Sequence, residues 1–543
     1  MDQVPPVGVV VVSNGRIIAL VTAAGLLGCQ PAGNQQPPRE PEAPEQVAEM
    51  AEHEHDHGVV EFPVSCTAEA RQAIEHGLGM LHHMMYEQAR PLFARAAKAD
   101  PSCAMAHWGT AMTHFQPLWH PTSQEDLAEG RAALRRAVEL GAPTEREREY
   151  IAAAQAWFAE LDPPQKDPAR DHEARLERWT RAQRSLHEAY PQDVDAAAFY
   201  ALAEVSYAMT QFSPDEPRDF TRERRAGALL ERYFGEHPQH PGVFHYLIHA
   251  YDSSELAHKA LPYAEAYDDL APEVPHALHM PSHIFVRLGR WEETAEWNER
   301  SAAAALRQPV DGMTSMHYAH ALDYMMYAYL QLGDEERARD TLRRTEAIEQ
   351  VQPLFASAYG LAAARARYPL ERGRWAEAAE LEPRKPDALA WEEFPAAEAL
   401  VHYARGLGAA RTGALEQAEL ERDRIDALGR TLRERGDDYW AAMTEAMGMA
   451  VAAWITHERG DTEGAIARMH EAAELEDSMD KHPTTPGEIL PVRELEGELL
   501  LLADRPEEAL RAFRASLERT PKRRNASQGV ERATTMQRAL SAR

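Results

Sequence analysis

Between His245 and Asp323 the chain sets its histidines at spacings that a helix can use. His245 and His249 stand in FHYLIHAYD, His276, His279 and His283 in PHALHMPSHIF, and His317 and His320 in MHYAHALDYM. Steps of three and four residues stack side chains on one face of a 3.6-residue helix. Neutral imidazole nitrogens are common ligands of divalent transition metals, so three such faces brought together predict a metal or an anionic small ligand. The competing reading is a structural hydrogen-bond network, and for His317, His402 or His457 alone that reading is preferred. Asp252 and Asp323 accompany the groups, either as ligands or as acceptors that fix a ring tautomer. Zinc suits such a set. Copper suits it if methionines join, and Met280, Met313, Met316, Met325 and Met326 are near in sequence.

Other site chemistry is thinly represented. His245-Tyr246-Leu247-Ile248-His249 has the i, i+4 spacing of zinc proteases but lacks glutamate after the first histidine. The sequence holds no Gly-x-Ser-x-Gly elbow, no Walker phosphate loop and no Gly-x-Gly-x-x-Gly after a strand. A metal held by three imidazoles with an open position could still activate water or support oxidation, so a hydrolase or oxidase remains an alternative to a binding module. A second, looser group, His82, His83, His107, His114 and His120, mixes with Met84, Met85, Met105 and Met112 and is expected to be ordinary core.

The elements that position these residues must come from a long chain. Its 543 residues are 44% apolar, and 58 basic against 88 acidic residues leave a formal charge of -30, which repels phosphate backbones and argues against nucleic acid as partner. Arg16 precedes an apolar run from Ile17 to Leu27, too short to span a bilayer, that ends Leu26-Leu27-Gly28-Cys29. That ending resembles the lipobox of bacterial lipoproteins, which implies residues 1–29 as a signal peptide, a lipid anchor on Cys29 and, with Gln30 following, the periplasmic face of the outer membrane. Residues 30–60 are rich in Pro, Glu and Gln and predict a tether. Within it His53, His55 and His57 alternate with acids, which resembles metal-collecting tracts but equally describes a solvated run. Cys66 and Cys103 remain for oxidising surroundings to join, or they are buried thiols.

From residue 61 to 521 helical hairpins recur. Gly77, Ala89, Phe93, Ala96 and Pro101 in the first, and Gly497, Ala509, Phe513 and Pro521 in the last, carry spacings that resemble the 34-residue pattern of the tetratricopeptide repeat family. Between them, turns at Gly289, Gly333, Gly373, Gly413 and Gly460 are followed five or six residues later by Ala295, Ala338, Ala378, Ala418 and Ala465. One hairpin cannot bury its own apolar face, so about ten or eleven hairpins are expected to stack into an all-α, right-handed superhelical solenoid. Residues 522–543, a basic stretch, are expected to cap it as a helix or a solvated tail.

The resemblance also implies where the histidines point. In that family the first helix of each hairpin lines a concave groove through its second, fifth, ninth and twelfth positions. Counting back from the turns puts His276, His279 and His283, then His320 and Asp323, then His245, His249 and Asp252 on such positions. The resemblance further implies a protein or peptide partner in the groove. The expected protein is therefore an exported, lipid-anchored binding or scaffold protein, not firmly an enzyme, with a histidine-lined groove. A pure interaction scaffold with structural histidines is the remaining alternative. Pro281 should kink the helix that carries three of the histidines, aiming His276 and His279 differently from His283, or else it marks where a helix begins.

Overall fold

A computed structural model describes residues 57–542 except 120, 212–217, 268 and 269. The proposed signal segment, Cys29, His53, His55 and His120 lie outside the described residues. What is described belongs to one compact unit, His53–Arg543. It is all-α. Among the described residues the only β pairings are isolated bridges, Val310 with Met313 and Thr314 with Val351, and no helix is long and apolar enough to cross a membrane.

Paired in order, the helices of the described residues make eleven hairpins, from Ala68–His82 with Tyr86–Ala99 to Val492–Leu502 with Pro506–Arg519, and Arg524–Ser541 closes the array. The turns follow from backbone chemistry. Gly289, Gly333, Gly373, Gly413 and Gly460 all have φ between +62° and +92°, where a Cβ would be strained. The amide after each glycine then donates back to a carbonyl five residues earlier, as Arg290 N does to Phe285 O and Asp334 N to Tyr329 O, both at 2.9 Å. Met84 and Asp504 make the same turn at φ 56° without glycine. Close packing within a hairpin uses the other glycines of the repeat pattern: a Cβ on Gly77 or Gly497 would lie 3.0 Å or 2.6 Å from the ring of Phe93 or Phe513.

The two ends of the described chain are more deeply engaged than their composition suggests. Val60 and Phe62 are core residues, and Val59 N donates to Gln239 O at 2.8 Å, so the segment just after His57 is part of the solenoid and not of a tether. Cys66 and Cys103 are joined as a disulfide, with Cα atoms 5.3 Å apart. Cys103 caps the helix Ala104–Met112 while Cys66 immediately precedes the capping Thr67, which brings the two hairpin starts within bridging distance. At the other end Arg523 is fully buried. Its Nε and Nη2 donate to Glu494 at 2.6 and 3.0 Å, Nη2 reaches Glu371 at 2.6 Å, and Nη1 reaches the Tyr327 hydroxyl at 2.8 Å. The basic C-terminal stretch is thus clamped at its root by the protein's own acids and is not simply a solvated tail.

The interior is filled, not open. The helix Ala68–His82 lies against the start of Pro241–Tyr251, so close that a Cβ on Gly242 would stand 2.6 Å from His82 Nδ1. From the far end of the array, residues 478–491 run inward without regular structure. A buried loop must find partners for its backbone, and side chains supply them. Tyr324 donates to Pro483 O at 3.2 Å, Tyr403 to Leu490 O at 3.2 Å, and the Arg367 guanidinium to the carbonyls of Gly487 and Glu488. Arg287 meanwhile meets the Asp480 carboxylate at 2.6 Å.

Candidate metal centre

Three first helices of adjacent hairpins present the histidines to this interior. Pro241–Tyr251 starts on a proline whose missing N–H costs nothing at a helix start, and His240 caps it by accepting from Val243 N at 3.3 Å. His245 and His249 follow on its buried face. The next helix is broken at Met280-Pro281 into Pro275–His279 and Ser282–Arg287, where the proline lacks the N–H that would continue the ladder and caps the second piece. The break does not sort the histidines as the sequence implied. His279 and His283 converge across it, with Nε2 atoms 3.0 Å apart, while His276 turns to His245 with ring centroids 5.0 Å apart. The third helix, Met316–Leu332, is capped by Ser315 and brings His317 and His320.

Two sets of three imidazoles result, His245, His249 and His276 in one and His279, His283 and His320 in the other, the ligand atoms within each lying no more than 4.8 Å apart. None of the six rings is more than 7% exposed. The sets adjoin through His249 and His283, centroids 5.5 Å apart, and through His276 and His279 at 6.0 Å. Tyr324 closes one flank with its ring 4.5 Å from His279 and 5.1 Å from His320, and Trp119 another, 5.5 Å from His276 and 5.8 Å from His317. His317 packs beside His276 at 5.3 Å but belongs to neither set.

The hydrogen bonds behind the rings fix their tautomers. Asn298 donates through Nδ2 to Ser282 Oγ and Thr294 O, both at 2.7 Å, so its Oδ1 accepts from His279 Nδ1 at 2.8 Å. His283 Nδ1 donates to Asp252 Oδ2 at 2.9 Å. Burial would raise the Asp252 carboxyl, but Lys481 at 3.1 Å and Arg287 at 2.9 Å hold it well below the usual range, so it is an acceptor only. With both protons committed to Nδ1, His279 and His283 turn lone pairs toward each other across 3.0 Å. That contact is repulsive unless a cation receives both. A tetrahedral ion bound at about 2.0–2.1 Å sets its nitrogens about 3.3 Å apart, close to the spacing seen.

In the other set His245 Nδ1 donates to His82 O at 2.6 Å, leaving its Nε2 bare toward His249 Nε2 at 3.1 Å. Here His249 can carry a proton on Nε2 and donate it. His276 has no such relief, because both its ring nitrogens are buried without a hydrogen-bond partner among the described residues, and His320 Nδ1 is in the same position. An unsatisfied buried polar atom costs about 1–3 kcal/mol. Protonation does not remove the conflict at neutral pH. Burial first, then the neighbouring rings, push His245, His276, His279 and His320 well below 6.5, and burial takes His249 to about 3 and His317 to about 4.

The carboxylates divide. Asp252 sits behind His283 as the orienting acceptor. Asp323 is in neither set: Arg367 Nε donates to its Oδ1 at 2.8 Å, and burial raises it to about 6 against that pairing. Among the residues that carry the centre, sequence reasoning did not single out Asn298, Lys481, Asp480 or the His82 carbonyl. A signal for Asp480 and Lys481 was the connection 478–491, one of the longer ones between helices and carrying Asp-Lys-His near its start. His82, predicted as core, forms a third group with Asp195 and His240. There both rings direct Nε2 to one oxygen, Asp195 Oδ1, at 2.8 and 3.2 Å, and His82 Nδ1 meets the Tyr246 hydroxyl at 3.1 Å, so hydrogen bonding accounts for the ring nitrogens of that group, while Asp195 Oδ2 is buried without a partner among the described residues.

Comparison with known proteins yields only distant likenesses. No family model matches the chain, and no curated protein does. Similar solved structures include yeast Tom70, at 9% identity and a TM-score of 0.29 over 87% of this chain and 90% of that one. The Cut9–Hcn1 hetero-tetramer of APC/C is 11% identical, at 0.29 over 86% and 90%, and the human IFIT1 dimer with m7Gppp-AAAA 13% identical, at 0.35 over 79% and 93%. Likenesses this distant carry no argument about binding. The repeating turns and the glycine–phenylalanine contacts decide the architecture. It is a tetratricopeptide-type array of stacked helical hairpins. Within that array the positions that would line a groove are instead enclosed by the chain's own first hairpin and inward loop.

Proposed function

We propose that this array is a metal-binding protein whose interior holds a transition metal through neutral imidazoles. The observation that carries the reading is the facing pair of tautomer-locked nitrogens on His279 and His283, with His320, whose buried Nδ1 has no partner among the described residues, completing the set. Zinc and copper both accept such donors. Enclosure of every ring favours retention of the ion over turnover of a large substrate. A protein partner, which hairpin arrays commonly take, would meet the outer surface of this one, because the inward loop occupies the groove. The lipobox-like Cys29 and the tether after it would hold the array in the cell envelope, a reading that rests on the sequence alone.

The test is elemental analysis of the purified full chain after reconstitution with zinc or copper, beside the His279→Ala, His283→Ala double variant, with circular dichroism to verify the helical fold of both. Stoichiometric metal in the parent and its loss from a folded variant is the expected result. Absence of metal from the reconstituted parent refutes the reading and leaves a scaffold whose histidines are structural.

A further inference from the structure

We propose that the six imidazoles form a two-ion centre, and that its charge balance selects copper(I) over divalent ions. The inference rests on the metal-binding reading above and adds the number of ions and their charge state.

The alternative is one ion at His279, His283 and His320, with the other set serving as a hydrogen-bond network. His276 decides between them. Donation from His249 Nε2 satisfies His245 but leaves His276 with both nitrogens buried and unpartnered among the described residues, 5.0 Å from the His245 ring. A second cation taken by His245, His249 and His276 accounts for one of the two, as the first accounts for His320. His245 is prepared for the task as His279 and His283 are: its Nδ1 proton is committed to the His82 carbonyl. Because the sets adjoin at His249–His283 and His276–His279, the two ions would share one chamber.

The charge around that chamber is already balanced. Asp252 and Asp480 face Arg287 and Lys481, and Asp323 faces Arg367. No carboxylate belongs to either imidazole set. Two divalent ions would therefore bring four uncompensated charges into a buried site, where each carries a desolvation penalty of several kcal/mol. Two copper(I) ions bring half that charge, and three nitrogens each complete a trigonal coordination.

The experiment loads the full chain anaerobically with copper(I), challenges it with a copper(I) chelator, and counts retained copper per chain. Zinc loaded in parallel is challenged with a zinc chelator of matched strength. Two coppers per chain are expected, one each in His276→Ala and His320→Ala, and no more than one zinc. One copper in the parent, two coppers retained by either variant, or two zinc ions held as firmly as two coppers overturns the inference. As a check independent of the variants, oxidation of the loaded parent with ferricyanide should give fewer than two spins per chain by electron paramagnetic resonance. The full count of two isolated ions argues against a shared chamber. No metal of either kind would instead overturn the metal-binding reading itself.

Discussion

Replacing Asp252 by Asn removes a charge while keeping the shape, and the surroundings set the size of the effect. The side chains of Asp252, Lys481 and Arg287 are 1–6% exposed. Removing one partner of a buried ion pair costs about 3–5 kcal/mol, because the other charge is left without compensation. Arg287 keeps Asp480 at 2.6 Å, so the loss falls mainly on Lys481, and the lower end, about 3 kcal/mol, is expected. Burial already lowers Lys481 from 10.5 to about 8 even with Asp252 present. Without the carboxylate it falls further, so between that value and 10.5 the unfolded chain binds the proton that the folded chain has lost. Stability of the variant should therefore rise with pH across this window, more steeply than in the parent. Urea unfolding at pH 7 and pH 9 measures it, with Lys481→Met added to Asp252→Asn as the rescue that removes the stranded charge. Equal stability of parent and variant at pH 7, or no recovery in the double variant, would refute the account of this network.

Acidification should destabilise the metal-free protein through its buried neutral rings. The rings of His249 and His317, held neutral at about 3 and 4, leave the unfolded chain binding more protons below 6.5, so each costs about 2 kcal/mol by pH 5 in the metal-free form. Raised acids such as Asp323 oppose this but are common to parent and variant, so urea unfolding of the metal-free parent and of His249→Gln between pH 7.5 and 5 isolates one ring: the parent should lose about 2 kcal/mol more than the variant, and parallel curves would speak against a neutral, ligand-competent ring. At the far end of the array, Arg523→Ala strands Glu494 and Glu371 and should cost about 3–5 kcal/mol in urea unfolding. An effect under 1 kcal/mol would mean that the basic stretch is solvated after all.

What the sequence made legible is what local chemistry enforces. A left-handed turn favours glycine, so Gly289, Gly333, Gly373, Gly413 and Gly460 marked hairpins in advance. The same turn at Met84 and Asp504 was invisible because nothing in those residues announces it. Helical spacing named all six rings of the centre, since i, i+3 and i, i+4 positions share a face wherever the helix lies. It did not name their grouping. His276 parts from His279 because of neighbours contributed by the helix Pro241–Tyr251, and a proline break gave no direction for that. Asp323 satisfied the same register as the histidines yet went to Arg367, a partner 44 residues away whose charge no spacing rule could anticipate. The open groove was an inference from hairpins taken one at a time. Closure came from His82 and from the loop 478–491, contacts spanning 163 to 229 residues that a repeat pattern does not encode.

The locks on the rings come from three places in the chain: the His82 carbonyl at the end of the first helix, Asp252 at the end of Pro241–Tyr251, and Asn298 on the helix that packs behind His279. Each belongs to a different hairpin, and Asp252 is itself held by Lys481 from the inward loop. A solenoid is ordinarily a sum of nearest-neighbour interfaces, in which distant repeats unfold with little regard for one another. Here the donor geometry exists only when the first, fifth, sixth and seventh hairpins and the loop before the last are all in place. The free energy of any ion bound to that geometry is therefore shared among them, and the centre converts a locally coupled array into one whose distant parts must close together.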